Sequence, residues 1–525
     1  VSSQPVTAMT AVSLLAEARA KALSDLAEVL PMLDELGQRF AHGGHELALV
    51  GGSIRDALLE RPVVDLDLAT SARPDEVLKL AKGWAESQWE TGIAFGTVGL
   101  RKDRYHLEIT TYRAERYDPT SRKPAVEYGE SLLDDLKRRD FTVNAIALTL
   151  PEHELVDPFD GIRDLLRRRI TTPGRPEDSF SDDPLRMLRA ARFAAQLGFT
   201  VDPHVVAAMT AMAARLDVVS AERIRDEFTK LLLAPEPRRG LVLLVDTGLA
   251  DRFLPELPAL RRLEADREYR HKDVYEHTLT VLDQAIALED GEPDLVLRLA
   301  ALLHDIGKPA TRRKEPDGRV SFHHHEVVGK KLAKARLTAL KFPKDVVNDV
   351  SRLVELHLRF HGYGTGEWTD SAVRRYVRDA GPLLDRLHKL TRSDCTTRNK
   401  KKAAALQAAY DSLVQRIEAL RRQEEIDAIR PELNGHEIGE ILGIPPGPEL
   451  GRAYRFLLEL RLERGPIGKE NAAAVLREWA AEHGITPRTT AAPPPPRDDA
   501  GASSPDTAAS SGETREASSA GDQTS

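Results

Sequence analysis

Residues 47–70 constrain the fold more than any other stretch of the chain. The apolar run Leu47 to Val50 reads as a buried strand. Gly51 and Gly52 break it, and Ser53, Arg55 and Asp56 lead into the helix-compatible Ala57-Leu58-Leu59. Val63 to Leu68 then reads as a second strand. Side chains on a strand alternate faces, so Asp65 and Asp67 point the same way. Two adjacent carboxylates repel unless a cation lies between them. Mg2+ suits the place, because it takes oxygen ligands and leaves positions open for substrate phosphates. The glycine pair lets a backbone come close to a phosphate. The stretch predicts a strand–turn–helix–strand unit that combines a phosphate cradle with a metal clamp.

A chain of 525 residues is too long for one core, and about two to four domains are expected. The formal charge of −8 means that a nucleic-acid partner must be met by local basic patches. Cys395 is the only cysteine, which excludes an internal disulfide and a cysteine-based zinc cage. A reducing cytoplasm fits that usage. The sequence shows no signal-peptide pattern and no apolar run of transmembrane length, so no membrane partner is expected. Abundant Ala, Arg and Leu, with only 5% aromatic residues, predict a helix-rich protein.

Leucines between Leu14 and Leu36 recur at helical spacing. Residues 97–100 and 106–112 read as further strands, and 117–130, with Pro119 and Pro124, as a loop. Helical character follows from about residue 132 onward. From Pro487 the chain is rich in Pro, Ser, Ala and Thr and lacks the apolar residues that offset ordering entropy, so disorder is expected. The expected partition is an N-terminal helical segment over 1–45, a mixed-sheet head over 46–150 and a helical neck over 151–265. A histidine-bearing helical body over 266–400, a helical tail over 401–484 and a disordered end over 485–525 complete it. The fold class is α+β, a small mixed-sheet head followed by all-helical regions.

Two further stretches carry chemistry. Arg138-Arg139-Asp140-Phe141-Thr142-Val143-Asn144 sets cations beside an Asp and an Asn, a mixture that suits polyphosphate and ribose. Alone, it reads equally as a solvated basic helix end. In Asp182-Asp183-Pro184-Leu185-Arg186, Asp183 and Pro184 suit the N-cap and first position of a helix. Arg186, Arg189 and Arg192 then form one stripe along that helix. Arg186 lies in the first turn, where a cation opposes the helix dipole. An Asp and an Arg so placed suggest a hydrogen-bonding pair that can face a base edge.

Together, these motifs resemble the class II tRNA nucleotidyltransferase and bacterial poly(A) polymerase family. The resemblance covers roughly residues 45–260. It implies that Asp65 and Asp67 are the catalytic residues and hold magnesium. Gly51, Gly52, Ser53, Arg55 and Asp56 would line the nucleotide. Arg139, Asp140 and Asn144 would contact its phosphates and sugar. Asp183 and Arg186 would read the Watson–Crick edge of CTP or ATP, with Arg189 and Arg192 on the same stripe. Two positions depart from the usual pattern: Ile54 stands where Val is common, and Asp182 where Glu is common. Glu108 is expected to face outward from its strand rather than join the carboxylate pair.

Downstream, His277, the pair His304-Asp305, and Asp394 form an ordered set. A His-Asp pair ending an apolar helix is costly to bury unless a metal or partner satisfies it, and such ligands suit transition metals. The set resembles the HD phosphohydrolase domain. The resemblance implies that His277, His304, Asp305 and Asp394 ligate a divalent transition metal, and His325 and His357 match further histidines of some members. The run Lys400-Lys401-Lys402 reads as a solvated helix face or, functionally, as a phosphate contact to tRNA.

The resemblance implies an enzyme that adds CCA to tRNA 3′ ends from CTP and ATP, without a template and with release of pyrophosphate. A poly(A) polymerase, or an enzyme adding only A or CC, would carry the same motifs. A third reading makes the HD domain the main activity and the head an RNA-binding module. The intact Asp65/Asp67 pair argues against it.

Overall fold

The computed structural model describes residues 11–63, 65–89, 96–116, 125–128, 131–263, 274–317, 319–362, 368–396, 399–424 and 429–485. Of the end expected to be disordered, Ile485 is described and packs in the core of the second unit, and 486–525 lies outside the described residues. The chain divides into two compact units, Val1–Ile429 and Arg430–Ser525.

The first unit opens with helices α1 (Ala11–Asp25) and α2 (Leu30–His42), which carry the leucine pattern. The head sheet is built from β1 (Leu47–Val50), β2 (Asp65–Thr70), β3 (Ser87–Trp89), β4 (Thr97–Lys102), β5 (Tyr105–Thr111), β8 (Ala147–Leu150) and β9 (Leu155–Val156). Its seven strands run in the order β3-β4-β5-β2-β1-β8-β9. β2 and β5 pair in parallel and the other neighbours are antiparallel, so the sheet is mixed. β6 (Arg113–Arg116) and β7 (Ala125–Tyr128) form a separate antiparallel pair. The stretch expected as a loop over 117–130 thus contains a strand at 125–128. Ala-Val-Glu-Tyr is compatible with a strand, a local preference hidden by the prolines and charges around it.

β1 is buried on both faces, as its unbroken apolar run requires. On β2, Leu66 and Leu68 turn into the core, which leaves Asp65 and Asp67 on the opposite face. Helix α3 (Gly52–Leu58) leaves the end of β1, and α4 (Pro74–Ala81), α5 (Leu132–Lys137) and α6 (Gly161–Arg167) complete the head. Gly37 of α2 permits close packing, since a Cβ there would lie 2.9 Å from the Leu150 backbone.

The neck contains α7 (Pro176–Asp182), α8 (Leu185–Leu197), α9 (Pro203–Met212) and α10 (Ala221–Leu232). One continuous apolar core joins head, neck and histidine-bearing body. The long helix Lys400–Glu424 packs on the body, so it stays with the first unit. The second unit has three described helices, Gly435–Leu442, Pro448–Arg464 and Lys469–Glu482. Leu433, Ile438, Leu457, Leu460 and Leu476 form its own core.

Candidate active site and metal centre

The site begins where β1 ends. Gly51 takes φ +66° and ψ −129°, a conformation that side-chain-bearing residues avoid, and this turn aims α3 back across the sheet. The Ser53 hydroxyl then staples α3 to β2. It donates to the Asp65 carbonyl at 3.1 Å and accepts from the Asp67 N–H at 3.0 Å. The residue expected to line the nucleotide thus also holds the carboxylate strand in place.

Asp65 is exposed and Asp67 half-buried. Burial raises the Asp67 carboxyl above its ordinary range, and the charges of Glu108 and Asp65 add to that, while Arg139 and Arg55 oppose it. Glu108 is exposed, as expected, yet the register sets it beside Asp67 on the same face. Asp65, Asp67 and Glu108 thus share one face, an oxygen donor set that fits a divalent cation.

Around this face runs a chain of charged hydrogen bonds. Buried Arg55 grips Asp56 through Nε at 3.0 Å and Nη2 at 2.7 Å, and donates from Nη1 to Asn144 Oδ1 at 2.7 Å. The Asn144 amide donates to Asp140 Oδ1 at 2.9 Å. Arg189 Nε donates to Asp140 Oδ2 at 2.8 Å, and Arg189 also meets Glu227 at 3.3 Å. Arg192 Nε donates to the other Glu227 oxygen at 2.6 Å. Burial alone would raise the Asp140 carboxyl, but Arg189 and the Asn144 amide hold it down at about 2. Phe193 supports the same cations, with the guanidinium carbons of Arg192, Arg55 and Arg189 at 4.0, 5.2 and 5.6 Å from its ring centre. Arg189 and Arg192, expected on the nucleotide-facing stripe, pair here with carboxylates that join α8 to the head and to α10.

Helix α8 starts at Leu185, one residue later than the Asp183-Pro184 pattern suggested, but Asp183 Oδ1 still accepts from the Leu185 N–H at 3.1 Å. Its Oδ2 accepts from Arg223 Nη2 of α10 at 2.6 Å. Arg186 is buried and donates to Ser179 Oγ at 3.0 Å and to the Arg138 carbonyl at 2.6 Å. Arg139 lies over the glycine turn: a Cβ on Gly51 would sit 2.8 Å from Arg139 Nη1. The expected motifs from the head and the neck thus meet around one turn.

The second constellation is in the body. His277 belongs to the helix Val274–Ala287, and His325 opens the helix His325–Ala339. His304, His357 and Asp394 cap the C-termini of Leu295–Leu303, Lys344–Leu356 and Leu384–Ser393. Gly307 lets these ends converge, since a Cβ there would lie 2.0 Å from the His325 carbonyl. The Nδ1 atoms of His304, His325 and His357 each face a main-chain carbonyl, at 2.8, 2.8 and 2.7 Å. Their Nε2 atoms turn inward, buried and without a hydrogen-bond partner. His304 Nε2 lies 3.2 Å from Asp305 and His277 Nε2 lies 3.0 Å from Asp394.

Two groups, His277/His304/Asp394 and Asp305/His325/His357, each bring their ligand atoms within 4.8 Å of one another. Fixed Nδ1 donors and orphaned inward Nε2 atoms are what metal-ligating imidazoles need. Burial, then neighbouring His304, push His357 down to about 3, so its ring is neutral and keeps a lone pair to give. Burial opposes ionisation of Asp305, but His304, His325 and Lys308 hold its carboxyl well below the usual range. Lys308 Nζ donates to Asp305 Oδ2 at 2.5 Å. These residues fit a divalent metal.

Sequence reasoning missed Asp135, Glu227, Arg223 and Lys308. Asp135 was legible, standing three and four residues before Arg138 and Arg139. Glu227 was signalled only by lying on the apolar face of Ile224, Phe228 and Leu231. Of the basic run, Lys401 is exposed; the side chains of Lys400 and Lys402 lie outside the described residues.

Residues 47–171 match the family described as "Poly A polymerase head domain", 198–260 match "Probable RNA and SrmB- binding site of polymerase A", and 274–399 match "HD domain". Over 443 residues the chain is 37% identical to an A-adding tRNA nucleotidyltransferase of Deinococcus radiodurans, covering 83% of this chain and 96% of that protein. The chain belongs to the tRNA nucleotidyltransferase family. This nucleotidyltransferase is also 34% identical to a CC-adding relative of Thermus thermophilus, over 82% of this chain and 93% of the relative. Its fold matches the Bacillus stearothermophilus CCA-adding enzyme in complex with CTP with a TM-score of 0.63, at 26% identity, over 88% of this chain and 98% of that one.

Proposed function

We propose that this nucleotidyltransferase adds CCA to the 3′ end of tRNA from CTP and ATP, with Mg2+ at Asp65 and Asp67. The observation that carries the reading is the junction at Arg138 and Arg139. There the neck's Arg186 bonds the Arg138 carbonyl, while Arg139 lies on the Gly51 turn beside the carboxylate strand. Groups suited to a base edge, to phosphates and to a metal thus adjoin. In the proposed reaction the tRNA 3′-oxygen loses its proton and attacks the α-phosphate of the triphosphate. A phosphodiester bond forms, the α–β bridging bond breaks, and pyrophosphate leaves. Magnesium, when bound, supplies activation of the 3′-hydroxyl and offsets the charge on the departing pyrophosphate. Arg139 and the Gly51-Gly52 backbone would grip the triphosphate. Asp183 and Arg186 would select C or A by hydrogen bonds to its base. Arg55, Asp56, Asp140, Asn144, Arg189 and Arg192 would keep these groups in register.

The A-adding and CC-adding relatives favour a second reading, in which this chain supplies only one part of the CCA end. Incubation with tRNA lacking its CCA end and each labelled triphosphate separates the two. Ordered C, C and then A supports the first; A alone on a tRNA already ending in CC, or CC without A, supports the second. Long A tails or no addition would refute both.

We further propose that the body is an HD phosphohydrolase centre for phosphate esters such as 2′,3′-cyclic phosphates, which the three orphaned imidazole nitrogens support. Boundaries near 46, 151, 266 and 401 for head, neck, body and tail remain our proposed division. A cytoplasmic setting suits the free Cys395 thiol. No helix among the described residues is long and apolar enough to cross a membrane.

A further inference from the structure

Asp135 of α5 is fully buried, a position where a carboxylate must find partners. It finds two adjacent arginines. Oδ1 accepts from Arg138 Nε at 3.0 Å and from its Nη2, while Oδ2 accepts from Arg139 Nε at 3.2 Å and Nη2 at 2.9 Å. Burial alone would raise this carboxyl, but Arg139 and Arg138 hold it below its usual range. Consecutive side chains on a helix point about 100° apart; here both guanidinium groups are turned onto one carboxylate just beyond the helix end.

Both arginines pass the constraint on. With Nε and Nη2 of Arg139 held, its Nη1 is the atom left over the Gly51 turn. Arg138, held by its side chain, offers its carbonyl to Arg186 Nη2 at 2.6 Å. Asp135 cannot itself touch a nucleotide, because none of its surface is exposed.

We infer that Asp135 is a positioning residue for nucleotide capture: it fixes Arg139 over the glycine turn and, through the Arg138 main chain, fixes Arg186. The inference rests on the reading of Arg139 and Arg186 as contacts to the incoming nucleotide. It predicts one residue whose loss weakens triphosphate binding and base selection together.

The test compares Asp135→Asn, Arg139→Gln and the double variant, full length and with Mg2+ supplied. KM for triphosphate, KM for tRNA, kcat and misaddition of UTP are measured. Asp135→Asn should raise the triphosphate KM by about tenfold and increase UTP misaddition, because charge-assisted pairing no longer aims the guanidinium groups. The tRNA KM should stay within about twofold, since uniform loss of folded protein does not move one KM alone. The double variant should show a triphosphate KM within about twofold of Arg139→Gln, because residues acting as a unit are not additive. Asp135→Glu keeps the charge, so a stably folded variant remains to be measured if Asp135→Asn is too unstable. Its lengthened carboxylate should still raise the triphosphate KM. An unchanged triphosphate KM in Asp135→Asn or Asp135→Glu, with Arg139→Gln impaired, overturns the inference alone. An unchanged triphosphate KM in Arg139→Gln overturns the reading of Arg139 and the inference with it.

Discussion

Gly51→Ala and Gly52→Ala should behave differently, although the two glycines are neighbours. At Gly51 the backbone stands at φ +66° and ψ −129°, a conformation that costs a side-chain-bearing residue about 1–3 kcal/mol. The new Cβ would also lie 2.8 Å from Arg139 Nη1. Arg139 cannot simply swing away, because Asp135 holds its Nε and Nη2. At Gly52 no positive φ is involved, and a Cβ would meet Arg55 Nη2 at 3.5 Å and Asp67 Oδ2 at 3.9 Å, ordinary contacts. Native-state hydrogen exchange of the β1 and β2 amides reports opening of the head without requiring the whole chain to unfold in one step. Gly51→Ala should speed their exchange by about 5- to 150-fold, the equivalent of the strain above. Gly52→Ala should leave it within about twofold, because the new Cβ makes only ordinary contacts and the change stays under about 0.5 kcal/mol. Equal effects at the two positions, or no effect at Gly51, would refute the argument that the turn and the Arg139 contact demand glycine at one position only.

Acid should act on Asp140. Its carboxyl is held at about 2 in the folded chain, against an ordinary value of 3.8, so its ionised form contributes about 2 kcal/mol. Because the folded value is depressed, that contribution is full above about pH 4 and lost as pH falls toward 2. The pH dependence of the urea midpoint should flatten over that window in Asp140→Asn, and parallel curves would contradict the assignment. In the body, a divalent metal should raise the melting temperature of the wild type and not that of His304→Ala, read by calorimetry. The same variant should retain nucleotide addition, and joint loss would make that centre a structural support of the whole enzyme.

The readable parts of the sequence were those set by local period. Alternation placed Asp65 and Asp67 on one face of β2, and the three-residue spacing placed Arg186, Arg189 and Arg192 on one stripe of α8. What those arginines meet was not readable. Arg189 reaches back to Asp140 and forward to Glu227, so its role depends on how α8 packs on the head and on α10. A stripe of cations looks the same in sequence whether it faces a nucleotide or a buried carboxylate. Asp183 shows both sides: its capping of α8 followed from its place before Pro184, whereas its contact with Arg223 did not. The histidine centre was readable as an ordered set, but the inward turn of three Nε2 atoms needs the helix ends that supply carbonyls to Nδ1.

We propose Asp65 and Asp67 as the place where a tRNA 3′-hydroxyl meets a nucleoside triphosphate. The direct measurement is single-turnover addition of labelled nucleotide to tRNA lacking its CCA end, comparing wild type with Asp65→Ala in the presence of Mg2+. Asp65→Ala should still fold and bind tRNA but lose addition by at least about a thousandfold, the scale on which charge-stabilising groups act in such sites. Addition by Asp65→Ala at a rate near wild type would contradict the proposal.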